Sequence, residues 1–399
     1  MTDSTPLEPD SPIESSSSVT NVSGGVSVDA QRDVNISGDV VGRDKVTVGY
    51  SSNEVRALLE AAIVAAHEQA PIAAAPTFDE LDAHYKTVVK AFSDGRVVPF
   101  LGAGVNQCGR PDGTQWQSQH YLPSGTELSE YLADNFGYPA PNRQDLLRVA
   151  QYVAVMNGVG PLYENLRTLF DADYTPTALH QLLAMAPSVL RAKGYPQRHL
   201  LIVTTNYDDL LERTFKAMDE PFDVVTYVAD TDQRGKFVHW PYGAEPRLIE
   251  KPNEYGDLPL ELPSCTLKRS IVLKLHGAVD RINAENDSYV ITEDHYINYL
   301  ARKDVASPIP SALAAKLKKT NFLFMGYSLR DWNLRVILQR IWGEQQLSYA
   351  SWAVQPAAEA LDQKFWSKRN VDILNVRLED YVVQLATRLS ALPLVQVKP

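Results

Sequence analysis

From Val97 to the end of the chain, short apolar runs alternate with longer amphipathic stretches. The runs at 97–102, 200–206, 222–228, 270–277, 288–292, 321–328, 351–355 and 371–376 have the length and β-branched content of buried strands. Between them, apolar positions recur at helical spacing over 126–136, 144–157, 161–170, 177–191, 208–218, 311–319, 330–342 and 378–391. Near-continuous apolar strands interleaved with helices predict an α/β fold: a Rossmann-like, mostly parallel sheet covered by helices on both faces. The ligand site of such a sheet lies beyond the carboxyl ends of its strands.

The N-terminal fifth follows different patterns. Residues 1–20 hold twelve Ser, Thr or Pro and four carboxylates with no basic residue, a composition that predicts disorder. Over 21–49 the period changes to six: Val22, Val28, Val34, Val40 and Val46 repeat, with Gly24, Ala30, Ile36, Gly42 and Val48 two positions after each. Stacked β-arches, a cross-β ladder completed by another chain, or a linker all remain open for this segment. Residues 50–76 read as a helix over 53–70 followed by the Pro71–Pro76 break, and a further helix is expected from Phe78 to about Ser93. The α/β module is therefore placed at 77–391, with 392–399 as a tail.

The composition narrows the class. Of 399 residues 44% are hydrophobic, enough for a large core. The net charge of −11 argues against a broad nucleic-acid or anionic-membrane surface. No apolar run approaches the roughly 18 residues of a membrane span, and the acidic start lacks the pattern of a signal peptide, so a cytoplasmic protein is expected. Two cysteines, Cys108 and Cys265, supply neither a disulfide framework nor an all-cysteine metal site.

Four strands end in polar or glycine motifs. VVPFLGAGVN (97–106) places Gly102 and Gly104 where a backbone could approach a phosphate, although a tight turn explains them as well. LLIVTTNYDD (200–209) runs into Thr204, Thr205, Asn206 and Asp208, only one of which a helix cap would account for. SIVLKLHG (270–277) delivers His276, structural or a general base near neutral pH. NFLFMGYSLRDWNLR (321–335) brings Gly326 and Ser328 to a strand end, as ligand contacts or as caps. His180, inside TALHQLLA, reads as a packed or capping histidine.

In this order, GAG-x, T-x-N-x-D, HG and G-x-S resemble the sirtuin NAD-binding fold over roughly residues 77–390. The run PSGTELSEYLADNFG and the form GYSLRDWNLR are more similar to the sirtuin-like domains of bacterial antiviral defence proteins than to protein deacylases. The resemblance implies NAD as substrate, with Gly102, Ala103 and Gly104 at the pyrophosphate. It places Asn206 at the nicotinamide ribose and attacking water, and Asp208 at the nicotinamide pocket. His276 would be the general base, and Gly326 and Ser328 would close over the phosphates and adenosine ribose. Asn106 stands where many sirtuins have Ser or Thr, and Thr205 where Gln usually precedes the Asn; both are expected in the cofactor site. No pair of C-x-x-C motifs is present, so the zinc module of deacylases, and with it peptide deacylation, is not expected.

The implied activity is hydrolysis of NAD to nicotinamide and ADP-ribose by an antiphage, abortive-infection effector. A deacylase or ADP-ribosyltransferase and a catalytically silent NAD or ADP-ribose sensor are the alternatives. Residues 21–49, with GDVVGRDK at their centre, resemble short amyloid-like signalling motifs. That second resemblance implies homo-oligomerisation and a sensor partner bearing a matching motif.

Overall fold

In the computed structural model, the residues described are 20–22, 25–27, 76, 78–139, 141–196, 199–259, 269–301, 309–329, 335, 337, 338, 341 and 349–395. The chain divides into two units, Met1–Ala70 and Pro71–Pro399. In the first, Thr20–Val22 (β1) pairs antiparallel with Gly25–Ser27 (β2), Val22 facing Gly25. The rest of the valine-repeat segment, the helix expected at 53–70 and nearly all of the linker lie outside the described residues.

The second unit is built on a nine-stranded sheet. Its strands in chain order are β3 (Val97–Leu101), β4 (Leu201–Thr204), β5 (Phe222–Tyr227), β6 (Phe237–Trp240), β7 (Arg247–Ile249), β8 (Ser270–Lys274), β11 (Asn321–Met325), β12 (Ser351–Val354) and β13 (Val371–Leu374). Across the sheet they lie 13-12-11-3-4-8-5-6-7. Every pairing from β13 to β5 is parallel; β6 and β7 extend the far edge antiparallel. Alternation along the strands sorts the core. Val98, Phe100, Val203, Leu273, Phe322 and Phe324 enter one apolar cluster, whereas Val97, Leu101, Ile202, Val272, Leu323 and Met325 enter another. Each fully buried side chain of this size stabilises the fold by about 1.5–3 kcal/mol.

Helices close both faces. On the second cluster sit α1 (Phe78–Ser93), α5 (Ala178–Ala192), α6 (Leu210–Ala217) and α10 (Leu378–Ser390), through Phe92, Leu183, Phe215 and Tyr381 among others. On the first sit α8 (Ser311–Leu317) and α9 (Ala360–Ser367). Three more helices, α2 (Gly125–Asn135), α3 (Leu146–Asn157) and α4 (Val159–Phe170), are inserted between β3 and β4. They form a third cluster with Leu210, Val279, Tyr289 and Ile291.

The α/β expectation therefore holds, with local differences. Residues 288–292 do not join the main sheet. Ser288–Tyr289 (β10) pairs antiparallel with Gly277–Ala278 (β9), because the chain reverses at Gly277, whose φ is +84°. A Cβ on Gly277 would stand 2.0 Å from the Ser288 carbonyl oxygen, so no larger residue permits this turn. The strands β6 and β7 and the helix α7 (Glu293–Ala301) were not anticipated. Of the helix expected over 330–342, only Arg335, Ile337, Leu338 and Ile341 are described, and they are helical.

Candidate active site

The chain leaves β3 toward β4 on one side, and leaves β11 toward β12 on the other. The carboxyl ends of β3 and β11 thus flank a topological switch point, where open α/β sheets form a ligand crevice. Both loops are glycine-rich because they touch. The Gly102 N–H donates to the Met325 carbonyl (3.0 Å) and the Gly104 N–H to the Gly326 carbonyl (2.9 Å). A Cβ on Gly104 would lie 2.8 Å from the Gly326 oxygen and 2.9 Å from its Cα. Gly326 itself has φ +72°. This alters the expectation for the GAG run. Two of the backbone N–H groups expected at a pyrophosphate are already engaged by the neighbouring loop, so the glycines serve loop-to-loop contact first.

Beside this junction opens a cavity of about 690 Å³. Of the ten residues singled out from the sequence, Ala103, Gly104, Asn106, Thr205, Asn206, Asp208, His276, Gly326 and Ser328 line it. Gly102 is buried behind them, and its carbonyl accepts a hydrogen bond from Asn206 Nδ2 at 3.3 Å. That bond, with Asn206 N–H donating to Thr204 Oγ1 (3.0 Å), fixes the Asn206 amide at the end of β4. Thr205 Oγ1 lies 2.5 Å from the Tyr327 hydroxyl, tying the β4 and β11 loops together.

Asp208 has a structural task as well as a place in the wall. Its Oδ1 accepts the Leu210 N–H (3.1 Å) at the start of α6, and its Oδ2 accepts Asn106 Nδ2 (3.0 Å). Below it, the buried Lys274 ammonium donates to the Asp208 carbonyl and to Glu212 Oε1 (2.8 Å). Burial raises the Glu212 pKa against the lowering effect of Lys274. Leu275 and His276 follow Lys274 directly, so one buried cation links the two loops that carry the polar wall.

His276 is 5% exposed. Its pKa falls from 6.5 to about 3 because burial penalises the imidazolium. The expectation of a base poised near neutrality is corrected accordingly: the imidazole is neutral throughout the physiological range. The Tyr296 hydroxyl lies 3.3 Å from Nδ1 and 3.5 Å from Nε2, with the rings edge to face at 5.4 Å.

Tyr296 was missed from the sequence. Its helix α7 is anchored at its start: His295 Nδ1 accepts the Ile291 and Thr292 N–H groups, His295 Nε2 contacts Asp230, and Asp294 pairs with Gln151. The N-terminus of α2 was also missed. Ser124, Gly125 and Thr126 face the cavity, and a reciprocal capping box joins Ser124 to Glu127. Among the described lining residues there is no Lys or Arg, whereas Asp145 and Asp208 are both present. His180, by contrast, sits away from the cavity and caps α5 through Thr177.

A second cavity of about 580 Å³ shares Gly104, Gln107, Gly326, Tyr327 and Ser328 with the first and continues past the end of β12 to Gln355 and Arg377. Among the described residues no three His, Cys, Asp or Glu side chains converge as a metal site. No described helix is long and apolar enough to cross a membrane.

An open, mostly parallel sheet with its crevice at the switch point defines the class of nucleotide-binding α/β proteins. More narrowly, residues 200–374 match the SIR2-like domain. The chain is 28% identical over 263 residues to NAD(+) hydrolase ThsA of Enterococcus faecium, an alignment covering 64% of this chain and 43% of that protein. It is 27% identical over 259 residues to NAD(+) hydrolase ThsA of Bacillus cereus (strain MSX-D12), covering 64% and 42%. The chain thus spans less than half the length of these relatives. A solved complex of a mutant Sir2 homologue with 2'-O-acetyl ADP ribose aligns over 77% of this chain and 96% of that one, at 13% identity and a TM-score of 0.34. The family resemblance read from the strand-end motifs holds at the level of the SIR2-like domain.

Proposed function

We propose that this chain hydrolyses NAD to nicotinamide and ADP-ribose, with residues 77–391 as the catalytic module. The observation that carries the reading is the meeting of Asn206, Asp208 and His276, from the ends of two parallel strands, in one cavity at the switch point. The similarity to proteins named NAD(+) hydrolase supports it.

The chemistry suits the residues. The bond between ribose C1' and the nicotinamide nitrogen breaks with its electron pair passing to the ring, which becomes neutral. Water adds to C1' and gives up a proton. The transition state is cation-like at C1', so the site chiefly has to place water and exclude other nucleophiles. Asn206, immobilised by the Gly102 carbonyl, orients the water or ribose hydroxyl. A neutral His276 accepts a hydrogen bond without adding positive charge beside a cationic substrate. Asp145 and Asp208 favour the pyridinium. The N-terminus of α2, an eleven-residue helix facing the cavity, offers backbone donors to the pyrophosphate, and Gly326 and Ser328 lie on the path to the second cavity.

On the sequence alone, we extend the reading to an antiphage effector acting in the cytoplasm. Residues 21–49 would serve as its assembly segment, matched by a sensor partner, and clustering of copies would raise turnover. The valine period supports this, since stacking on a like segment would satisfy strand edges and bury the valines. The direct test is purified protein with NAD alone. One ADP-ribose per nicotinamide, without any acyl or protein acceptor, is expected; turnover only with an acylated peptide would overturn the reading.

A further inference from the structure

One polar atom in the cavity wall has work that the hydrolase reading leaves undone. Asn106 is buried on the short helical turn after β3, and its Nδ2 donates to Asp208 Oδ2 at 3.0 Å. Its Oδ1 is buried and has no donor among the described residues. Turning the amide over would not help, because Oδ1 would then face the Asp208 carboxylate. The orientation is therefore fixed by charge, and an acceptor stands without a partner where one costs the fold free energy. Asp208 is equally constrained, its Oδ1 bonded to the Leu210 N–H. The Asn106 carbonyl and the Asp208 carboxylate thus present two acceptors side by side, in a wall whose described residues include no Lys or Arg.

We propose that Asn106 Oδ1 reads the carboxamide N–H of the nicotinamide ring. On this assignment the site selects pyridine nucleotides bearing a primary amide over those bearing a carboxylate or a ketone. The inference rests on the hydrolase reading of the same cavity. A primary amide brings two N–H donors to two acceptors. A nicotinate carboxylate would bring only oxygens against an anion, with no donor to separate them. A methyl ketone would leave the Asn106 acceptor as it is in the empty site. Asn106 is then a specificity-determining residue: it holds the leaving group, while the glycosidic bond breaks and water adds to C1' as already described.

The test uses the full chain and three dinucleotides that all release ADP-ribose: NAD, nicotinic acid adenine dinucleotide and 3-acetylpyridine adenine dinucleotide, the last with methyl in place of the amide nitrogen. For the wild type we expect kcat/KM to favour NAD over the acid by about 100-fold or more, and over the ketone by about tenfold. Asn106→Ala should slow NAD by about tenfold or more yet change the ketone by less than about threefold, the non-additive outcome expected of directly interacting groups. Asn106→Ser, with melting temperatures alongside, guards against a variant that fails to fold. A wild type that treats NAD and the ketone alike, or an Asn106→Ala that slows both equally, would overturn the inference while leaving the hydrolase reading intact. Absence of ADP-ribose from all three would instead overturn the hydrolase reading. Calorimetric titration of the wild type with nicotinamide and with nicotinic acid then decides the inference without turnover. Tighter nicotinamide supports it, and equal affinities overturn it.

Discussion

Lowering the pH should destabilise this protein through His276 in a way that can be measured separately from its other groups. The folded-state pKa of about 3 lies below the 6.5 of the unfolded chain because the buried imidazole cannot be solvated as a cation. As pH falls through 6.5 the unfolded chain takes up a proton that the native state refuses, so stability present above 6.5 is lost progressively until about pH 3. For one such group the slope is about 1.4 kcal/mol per pH unit, so a drop from well above 6.5 to pH 5 removes about 2 kcal/mol. His180, held near 4 by burial, and His84, also near 4, act in the same direction. A variant that lacks only the His276 titration isolates its share. Urea unfolding of wild type and His276→Gln at pH 7.5 and pH 5.0 should show the wild type losing about 2 kcal/mol more than the variant. Over the range where the protein stays folded, kcat/KM should show no acid limb near 6.5 from this residue. Equal losses in the two proteins, or an imidazole NMR titration midpoint near 6.5 for His276, would refute the argument that burial keeps it neutral.

Three other outcomes follow from particular contacts. Gly104→Val places atoms against the Gly326 backbone, so it should cost about 1–3 kcal/mol in urea unfolding even without nucleotide; undiminished stability would mean the two loops part freely. Tyr296→Phe keeps the ring against His276 and removes only the hydroxyl at 3.3 Å, so kcat should fall by about two- to tenfold with KM and melting temperature little changed; wild-type kcat would make Tyr296 a packing residue only. Seeding full-length protein with fibrils of a peptide covering residues 21–49 should raise NAD turnover. Combined Val34→Asp and Val40→Asp should abolish that response while sparing basal activity, and a seeded response equal to wild type would reduce the segment to a linker.

Much of the module was legible because burial on both faces leaves its mark on a strand. VVPFL, SIVLK and NFLFM are apolar throughout, and each ends where the polarity changes abruptly at the sheet's carboxyl edge. Nine of ten expected site residues consequently share one cavity. What was not legible depends on long-range contact. The edge strands FVHW and RLI are short and half polar, with too weak an alternation to stand out. SYVIT reads as a sheet strand, yet its first residues pair with Gly277 and Ala278, a choice made by the turn at Gly277. Whether a glycine serves a phosphate or another loop depends on what stands 3 Å away; for Gly104 that is Gly326, more than 200 residues on. The low pKa of His276 is likewise a property of its surroundings and not of the motif HG. Tyr296 lay one residue beyond a histidine that drew no notice, and only the return of α7 to the cavity brings its hydroxyl to His276.

The central claim concerns Asn206 and His276 acting together on NAD. Its most direct test is chromatography of nicotinamide and ADP-ribose formed from NAD by the purified wild type, Asn206→Ala and His276→Ala, each shown folded by circular dichroism. The account predicts equimolar products from the wild type, under seeding if basal turnover is low, and loss of both products in each variant. Near-normal NAD cleavage by either folded variant would contradict it.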